Sequence, residues 1–173
     1  NPMIQVYTGA EISDFQGSVG SFKTEFTANG KIHTVEHGAV IVATGAQEYR
    51  PQEYWYGQDP RVITQFELEE KLASGNFTAG SIAMIQCVGS REQPRAYCSR
   101  VCCSQAVKNA LKIKEINPQA DVFILNRDVR TYGFYEAYYR KAREVGVTFI
   151  RFEEGHKPEV ISSNGHLVVS CLL

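Results

Sequence analysis

The sequence predicts an α/β protein in two parts: a β-rich piece, then a three-layer domain built on parallel strands. Three observations carry this. From Ser81 onward, short apolar runs alternate with amphipathic helical stretches, the pattern of parallel strands joined by helices. Before that point the chain is β-rich and contains Ala28-Asn29-Gly30-Lys31, where Asn-Gly supplies the positive φ values of a tight hairpin. Of the 173 residues, 43% are hydrophobic, which is enough for a sizeable core.

Taken in order, Ile4-Gln5-Val6-Tyr7 and residues 19–26 alternate as half-buried strands do. Residues 39–43 (AVIVA) form an unbroken apolar run, which suits a strand buried on both faces of a parallel sheet. Residues 47–60 are rich in Pro, Gly and aromatics and read as a packed connecting loop, Tyr54-Trp55-Tyr56 included. Thr64 and Glu67 make a capping box that opens a helix through Leu72, with Gly75 just past its end. Residues 81–86 form a strand. Residues 104–116 form a helix that turns Val107, Ala110, Leu111 and the stem of Lys114 to the core, and Asn117-Pro118 stops it. Residues 121–125 form the next strand, so strand, helix and strand make a Rossmann-like βαβ unit with a right-handed crossover. A helix over 132–144 follows, with Phe134, Tyr138 and Ala142 as its core stripe, then a strand over 147–152. A hairpin over 158–172 turns at Ser163-Asn164-Gly165. The expected divisions are 1–45, a linker with a short helix over 46–80, and the Rossmann-like domain over 81–173.

Composition excludes some functions. Eighteen Lys and Arg against 19 Asp and Glu leave a net charge of −1, with no basic face for nucleic acid or an anionic membrane. No apolar run approaches the roughly 20 residues of a membrane span, so an integral membrane protein is not expected. The opening residues do not read as a signal peptide, so none is expected. The opening Asn1-Pro2 and the closing Cys171-Leu172-Leu173, in what reads as mid-strand, suggest an excised fragment.

The five cysteines are distributed unevenly: four fall in QCVGSREQPRAYCSRVCC, residues 86–103. A disulfide framework would spread them, so the crowding points to a metal or redox site in a reducing cytoplasm. The position is informative. A dinucleotide-binding unit has G-x-G-x-x-G between its first strand and helix. Here only Gly89 follows the strand, and the turn carries Cys87, Cys98, Cys102 and Cys103, spaced C-x10-C-x3-C-C. Four thiolates suit a [4Fe–4S] cluster, whose negative charge a helix N-terminus and Arg91, Arg95 and Arg100 would offset. They also suit a structural zinc ion. Thiol chemistry without metal, or plain buried cysteines, are the other readings. Cys171 reads as a buried strand residue. The four histidines show no ligand pattern, and Arg127-Asp128 reads as a surface or ion-pair element.

Residues 38–153 resemble the A-subunit of heterodisulfide reductase, a flavin and iron–sulfur protein of methanogens with relatives in anaerobic bacteria. The segments that carry the resemblance are GAVIVATGAQEYRP, YGQDPRVITQFELEEKL, IQCVGSREQPRAYCSRVCC and RDVRTYGFYEAYYRKAREVGV. The resemblance implies a core like that of thioredoxin reductase, with residues 1–45 as the β-rich end of an FAD-binding domain. It implies that Ala43, Thr44 and Gly45 approach the flavin nucleotide, and Ile12 is a further candidate to offer backbone to its adenine. It implies that Cys87, Cys98, Cys102 and Cys103 bind a [4Fe–4S] cluster. It implies electron transfer between FAD and clusters, with flavin-based bifurcation in the whole complex. The implied partners are the other reductase subunits, a hydrogenase or dehydrogenase donor, and ferredoxin. The chain lacks the family's flavin-binding G-x-G-x-x-G and its ferredoxin-type C-x2-C-x2-C runs, so by itself it is expected to bind FAD weakly or not at all. A pyridine nucleotide–disulfide oxidoreductase using FAD and NAD(P)H, or a zinc-stabilised interaction domain, is the alternative.

Overall fold

The structure, a computed structural model, describes residues 1–172. The chain divides into two compact units, Asn1–Gln47 and the residues from Glu48 on.

In the first unit, Asn29 (φ 52) and Gly30 (φ 72) take the left-handed conformation the hairpin requires. They join β2 (Ser21–Ala28) to β3 (Lys31–His37), and β1 (Glu11–Ser18) pairs with the other edge of β2 to give an antiparallel β1-β2-β3 sheet. Alternation along β2 puts Phe22, Phe26 and Ala28 on one face. Tyr7 meets Phe26 edge-on at 4.8 Å and His33 stacks on it at 5.3 Å, while Phe22 packs against Phe15 and His37.

Two expectations fail here. Residues 4–7 are not a strand; β1 lies seven residues later. Every residue of β1 is exposed and its register slips between Ile12 and Asp14, so no burial imprints an alternating pattern on its sequence. Residues 39–43 are also not a strand, and Ile41 is 90% exposed. A strand buried on both faces needs sheet neighbours and two covering layers, and β1–β3 pair only with one another.

In the second unit, α1 (Gln65–Ala73) begins as its capping box requires. The Thr64 hydroxyl accepts from the Glu67 N–H at 3.3 Å, and the Glu67 carboxylate accepts from the Thr64 N–H at 2.7 Å. The helix ends with Gly75 (φ 73): Gly75 N–H donates to Leu72 O and Asn76 N–H to Lys71 O. Replacing Thr64 with alanine is expected to cost about 1 kcal/mol of unfolding free energy, read from a urea titration.

Strands β4 (Ser81–Ile85), β5 (Asp121–Asn126) and β6 (Val147–Arg151) form a parallel sheet in that order. The register places Met84, Ile124 and Phe149 side by side. Helix α2 (Cys102–Ile116) joins β4 to β5, and a 3₁₀ turn (Gly133–Tyr135) with α3 (Glu136–Glu144) joins β5 to β6. Ala106, Val107, Ala110 and Ile113 of α2 meet Val122 and Ile124 in the core, to which α1 adds Leu68 and Leu72. Strands β7 (Glu159–Ser163) and β8 (His166–Ser170) form the expected hairpin around Asn164-Gly165. The packed loop is also found: Trp55 Nε1 donates to Val160 O at 3.1 Å and Arg61 to Gly165 O at 2.7 Å.

Three details differ from expectation. Helix α2 starts at Cys102, two residues early, and buries Ile113 in addition to the expected face, on which Leu111 packs partly buried against the core. The stripe on the next helix is not core: Phe134 is 97% exposed and Tyr138 is also exposed, leaving Ala142 buried. The 3₁₀ turn, with three residues per turn, shifts the phase between Phe134 and α3. Tyr139 takes the inward position and meets Phe149 at 4.7 Å. Cys171 follows β8 and is half-buried, neither in the strand nor in the core. Among the described residues no helix is long and apolar enough to cross a membrane.

Candidate metal centre

The segment between β4 and α2 is held in an unusual backbone conformation. Cys87, Arg91 and Arg100 all have φ near 64, a region that residues other than glycine seldom occupy and that is sustained only by surrounding structure. The ten residues between Cys87 and Cys98 fold back on themselves: Arg91 N–H donates to Tyr97 O at 3.1 Å and Glu92 N–H to Arg95 O at 3.2 Å. Gly89 (φ 62) is pressed against Tyr49, and a Cβ added there would lie 2.1 Å from Tyr49 Cε1. The Arg95 guanidinium sits 4.3 Å from the centre of the Tyr49 ring, so the ring is held between glycine and cation. The one glycine left in this turn serves an aromatic contact.

Cys102 and Cys103 are the first two residues of α2, where free N–H groups and the helix dipole favour negative charge. The neighbouring Cys103 side chain holds the Cys102 thiol well below its ordinary value, helped by the Ser99 hydroxyl and opposed by burial. The same contact and burial push Cys103 up. Cys102 is thus the more acidic of the two adjacent thiols. Burial also pushes Cys87 up, against a hydrogen bond from Arg91, whose Nη1 is 4.0 Å from Cys87 Sγ.

Asp128, two residues beyond β5, links the surroundings of Cys87, Cys98 and Cys103. Its carboxylate pairs with Arg91 and accepts from Arg130 Nε at 2.7 Å. Burial would push this carboxyl up, but the two guanidinium hydrogen bonds outweigh it and hold it below the usual carboxylate range. Arg91 reaches Cys87, Arg130 is close enough for Cys98 to raise its pKa slightly, and the Asp128 carbonyl lies 3.8 Å from Cys103 Sγ. Cys98 Sγ also accepts from the Arg100 N–H at 3.3 Å.

Of the arginines expected to compensate thiolate charge, Arg91 does so directly. Arg100 contributes its peptide N–H, and Arg95 is occupied by Tyr49 and Gly89 O. Sequence reasoning missed Tyr49, Arg130 and the bridging part played by Asp128. The available signal was Arg127-Asp128-Val129-Arg130 at the carboxyl end of a parallel strand, where open α/β sheets place their sites. The ion-pair reading of Arg127-Asp128 holds, with Arg127 pairing with Glu154.

The four flavin candidates lie in the first unit. Ile12 is exposed in β1 opposite Phe26, and Ala43, Thr44 and Gly45 lie in exposed non-regular backbone with Gly45 at φ 70.

No family model matches the chain. It is 45% identical over 134 residues to the A-subunit of the ferredoxin/F420H2-dependent CoB–CoM heterodisulfide reductase of Methanosarcina acetivorans, an alignment covering 67% of this chain and 17% of that protein. It is 40% identical over 146 residues to the iron–sulfur A-subunit 1 of the CoB–CoM heterodisulfide reductase of Methanopyrus kandleri, covering 72% and 21%. The chain belongs to the family of heterodisulfide reductase A-subunits. A third family member, the A-subunit of the H2:CoB–CoM heterodisulfide,ferredoxin reductase of Methanothermobacter marburgensis, is 38% identical over 148 residues, covering 75% and 22%. The chain spans about a fifth of the length of these family members.

The donor set fits an iron–sulfur group of the kind named in the family. It is all thiol, the soft donor that selects iron–sulfur clusters or zinc. Cys87, Cys102 and Cys103 interact electrostatically with one another, and Arg130 lies at Cys98. Among the described residues no three His, Cys, Asp or Glu side chains are gathered tightly enough to hold one metal ion. A lone tetrahedral zinc needs sulfurs about 3.8 Å apart, given a Zn–S bond near 2.3 Å.

Proposed function

We propose that this chain is the part of an oxidoreductase of the heterodisulfide reductase A-subunit type in which Cys87, Cys98, Cys102 and Cys103 hold a [4Fe–4S] cluster. The parallel βαβαβ unit is then a Rossmann-like domain whose phosphate turn has become a cysteine loop. Ile12, Ala43, Thr44 and Gly45 belong to the surface that meets FAD in the whole protein. The observation that supports the reading is that Cys87, Cys98 and Cys103 neighbour one arginine–aspartate network beyond the carboxyl end of β5, with Cys102 adjacent to Cys103.

Such a cluster, when bound, supplies one-electron transfer to and from a flavin. The chain's own residues have other tasks. The α2 N-terminus and Arg91 favour the thiolate form of Cys102 and Cys87. Arg130 places positive charge beside Cys98. Asp128 keeps both guanidiniums in place and limits the net charge they bring. The Tyr49 ring lies over Gly89 and restricts the loop. In the full assembly the partners are the other reductase subunits, a hydrogenase or dehydrogenase donor and ferredoxin, with flavin-based bifurcation as the overall process and the cytoplasm as the location.

The test is anaerobic incubation of the chain with iron and sulfide, followed by elemental analysis and low-temperature electron paramagnetic resonance. About four irons and four sulfides per chain are expected, with a reduced-cluster signal. Stoichiometric zinc that iron and sulfide do not displace would overturn the reading in favour of a zinc-stabilised interaction domain.

A further inference from the structure

The loop between Cys87 and Cys98 has its two arms joined by a residue from outside the cysteine segment. The outgoing arm passes Gly89, two residues after Cys87. Its left-handed backbone (φ 62) and missing side chain let the Tyr49 ring lie directly on it, where a β-carbon would overlap Cε1, Cδ1 and Cζ of the ring. The returning arm starts at Arg95, whose carbonyl accepts from the Glu92 N–H at 3.2 Å. The Arg95 side chain folds back across the loop. Its Nε donates to Gly89 O at 3.2 Å, and its guanidinium carbon lies 4.3 Å from the centre of the same Tyr49 ring. Tyr49, Gly89 and Arg95 thus close a triangle between the two arms. The Tyr49 hydroxyl is only loosely held, 3.3 Å from the Glu53 carboxylate.

Two other ties fasten the loop without joining its arms. Arg127 Nη1 donates to Arg91 O at 2.9 Å, and Lys157 pairs with Glu92, both on the outgoing side. The bond that reports whether the arms are together is Arg91 N–H to Tyr97 O, 3.1 Å, beside Cys98. Bringing the ends of a flexible loop together costs chain entropy each time it happens. A triangle that joins the arms beforehand leaves Cys87 and Cys98 little freedom relative to each other, and ligands held in place by their surroundings bind a metal group better than free ones.

We propose that Tyr49 is a positioning residue for Cys87 and Cys98: its ring, acting through Gly89 and Arg95, fixes the separation of the two thiols and slows the escape of the iron–sulfur group they hold. The proposal rests on the ligand reading above. The face of the ring does this and the hydroxyl does not, because a glycine backbone and a guanidinium both seat on an aromatic face. Phenylalanine should therefore replace Tyr49, and leucine should not.

The experiment compares the full chain with Tyr49→Phe, Tyr49→Leu and Arg95→Met. In metal-free protein, hydrogen exchange at the Arg91 amide is expected to be at least about tenfold faster in Tyr49→Leu and Arg95→Met, with the amides of α2 unchanged. Tyr49→Phe should stay within about threefold of wild type. After reconstitution with iron and sulfide, Tyr49→Leu should lose iron to EDTA at least about tenfold faster than wild type, with shifted g values in the reduced-cluster resonance. Tyr49→Phe should match wild type in both, a rescue that general loosening of the fold would not give. If Tyr49→Leu fails to fold, Arg95→Met decides by the same measurements. A wild type that takes up no iron overturns the ligand reading and this proposal with it. Normal uptake, with iron loss and g values unmoved in Tyr49→Leu, overturns the proposal alone, as does a Tyr49→Phe variant that behaves like Tyr49→Leu.

Discussion

Cys103→Ala is expected to abolish assembly of the iron–sulfur centre in reconstituted protein, the largest effect any single substitution here should have. The variant removes one of the four proposed ligands and also the side chain that lowers the pKa of its neighbour Cys102. Two ligand positions are therefore impaired by one change. The sulfur-to-iron absorption in the visible and the reduced-cluster resonance should both disappear, with iron falling from about four per chain to near none. Cys87→Ala, Cys98→Ala and Cys102→Ala should behave alike, each removing a thiolate. Cys171→Ala should change nothing, because that residue follows β8 and its thiol meets only the neighbouring Leu172 carbonyl. Full iron retention in Cys103→Ala, or loss in Cys171→Ala, would contradict the ligand assignment.

The second large effect concerns stability. Ile113 is fully buried in α2, in the cluster that includes Val107, Val122 and Ile124. Ile113→Ala removes three carbons from a closed interior and is expected to cost about 2–5 kcal/mol, the transfer loss plus the cavity left behind. Against a domain stability of about 5–15 kcal/mol, that is a large share. The urea midpoint of the second unit should fall while the slope stays constant. The first unit has its own aromatic packing around Phe22 and Phe26, and its transition should not move. A shift below about 1 kcal/mol would show that α2 is not seated as described.

Much of this was legible in the residues because local chemistry dictated it. Asn29-Gly30, Asn164-Gly165, the Thr64–Glu67 box and Gly75 act within a few positions, and each is found where its side chain requires. The four cysteines were legible as a group because their crowding is independent of tertiary context. What could not be read depended on neighbours distant in sequence. Residues 39–43 have the composition of a central strand, but no described strand pairs with them. The all-exposed β1 carries no alternation to detect. Phe134 looked like core until the 3₁₀ turn broke the helical phase. Asp128 became a bridge only when the fold brought Arg91, 37 residues earlier, against it.

The adjacent cysteines that open α2, the first of them the more acidic, have a consequence for handling. A thiolate is the form that peroxide attacks, giving a sulfenic acid, and a thiol on the next residue can condense with it and release water. Peroxide in an aerated buffer would thus consume Cys102 well before heat or urea disturbs the fold. A preparation can look intact by circular dichroism yet have lost its capacity to take up iron.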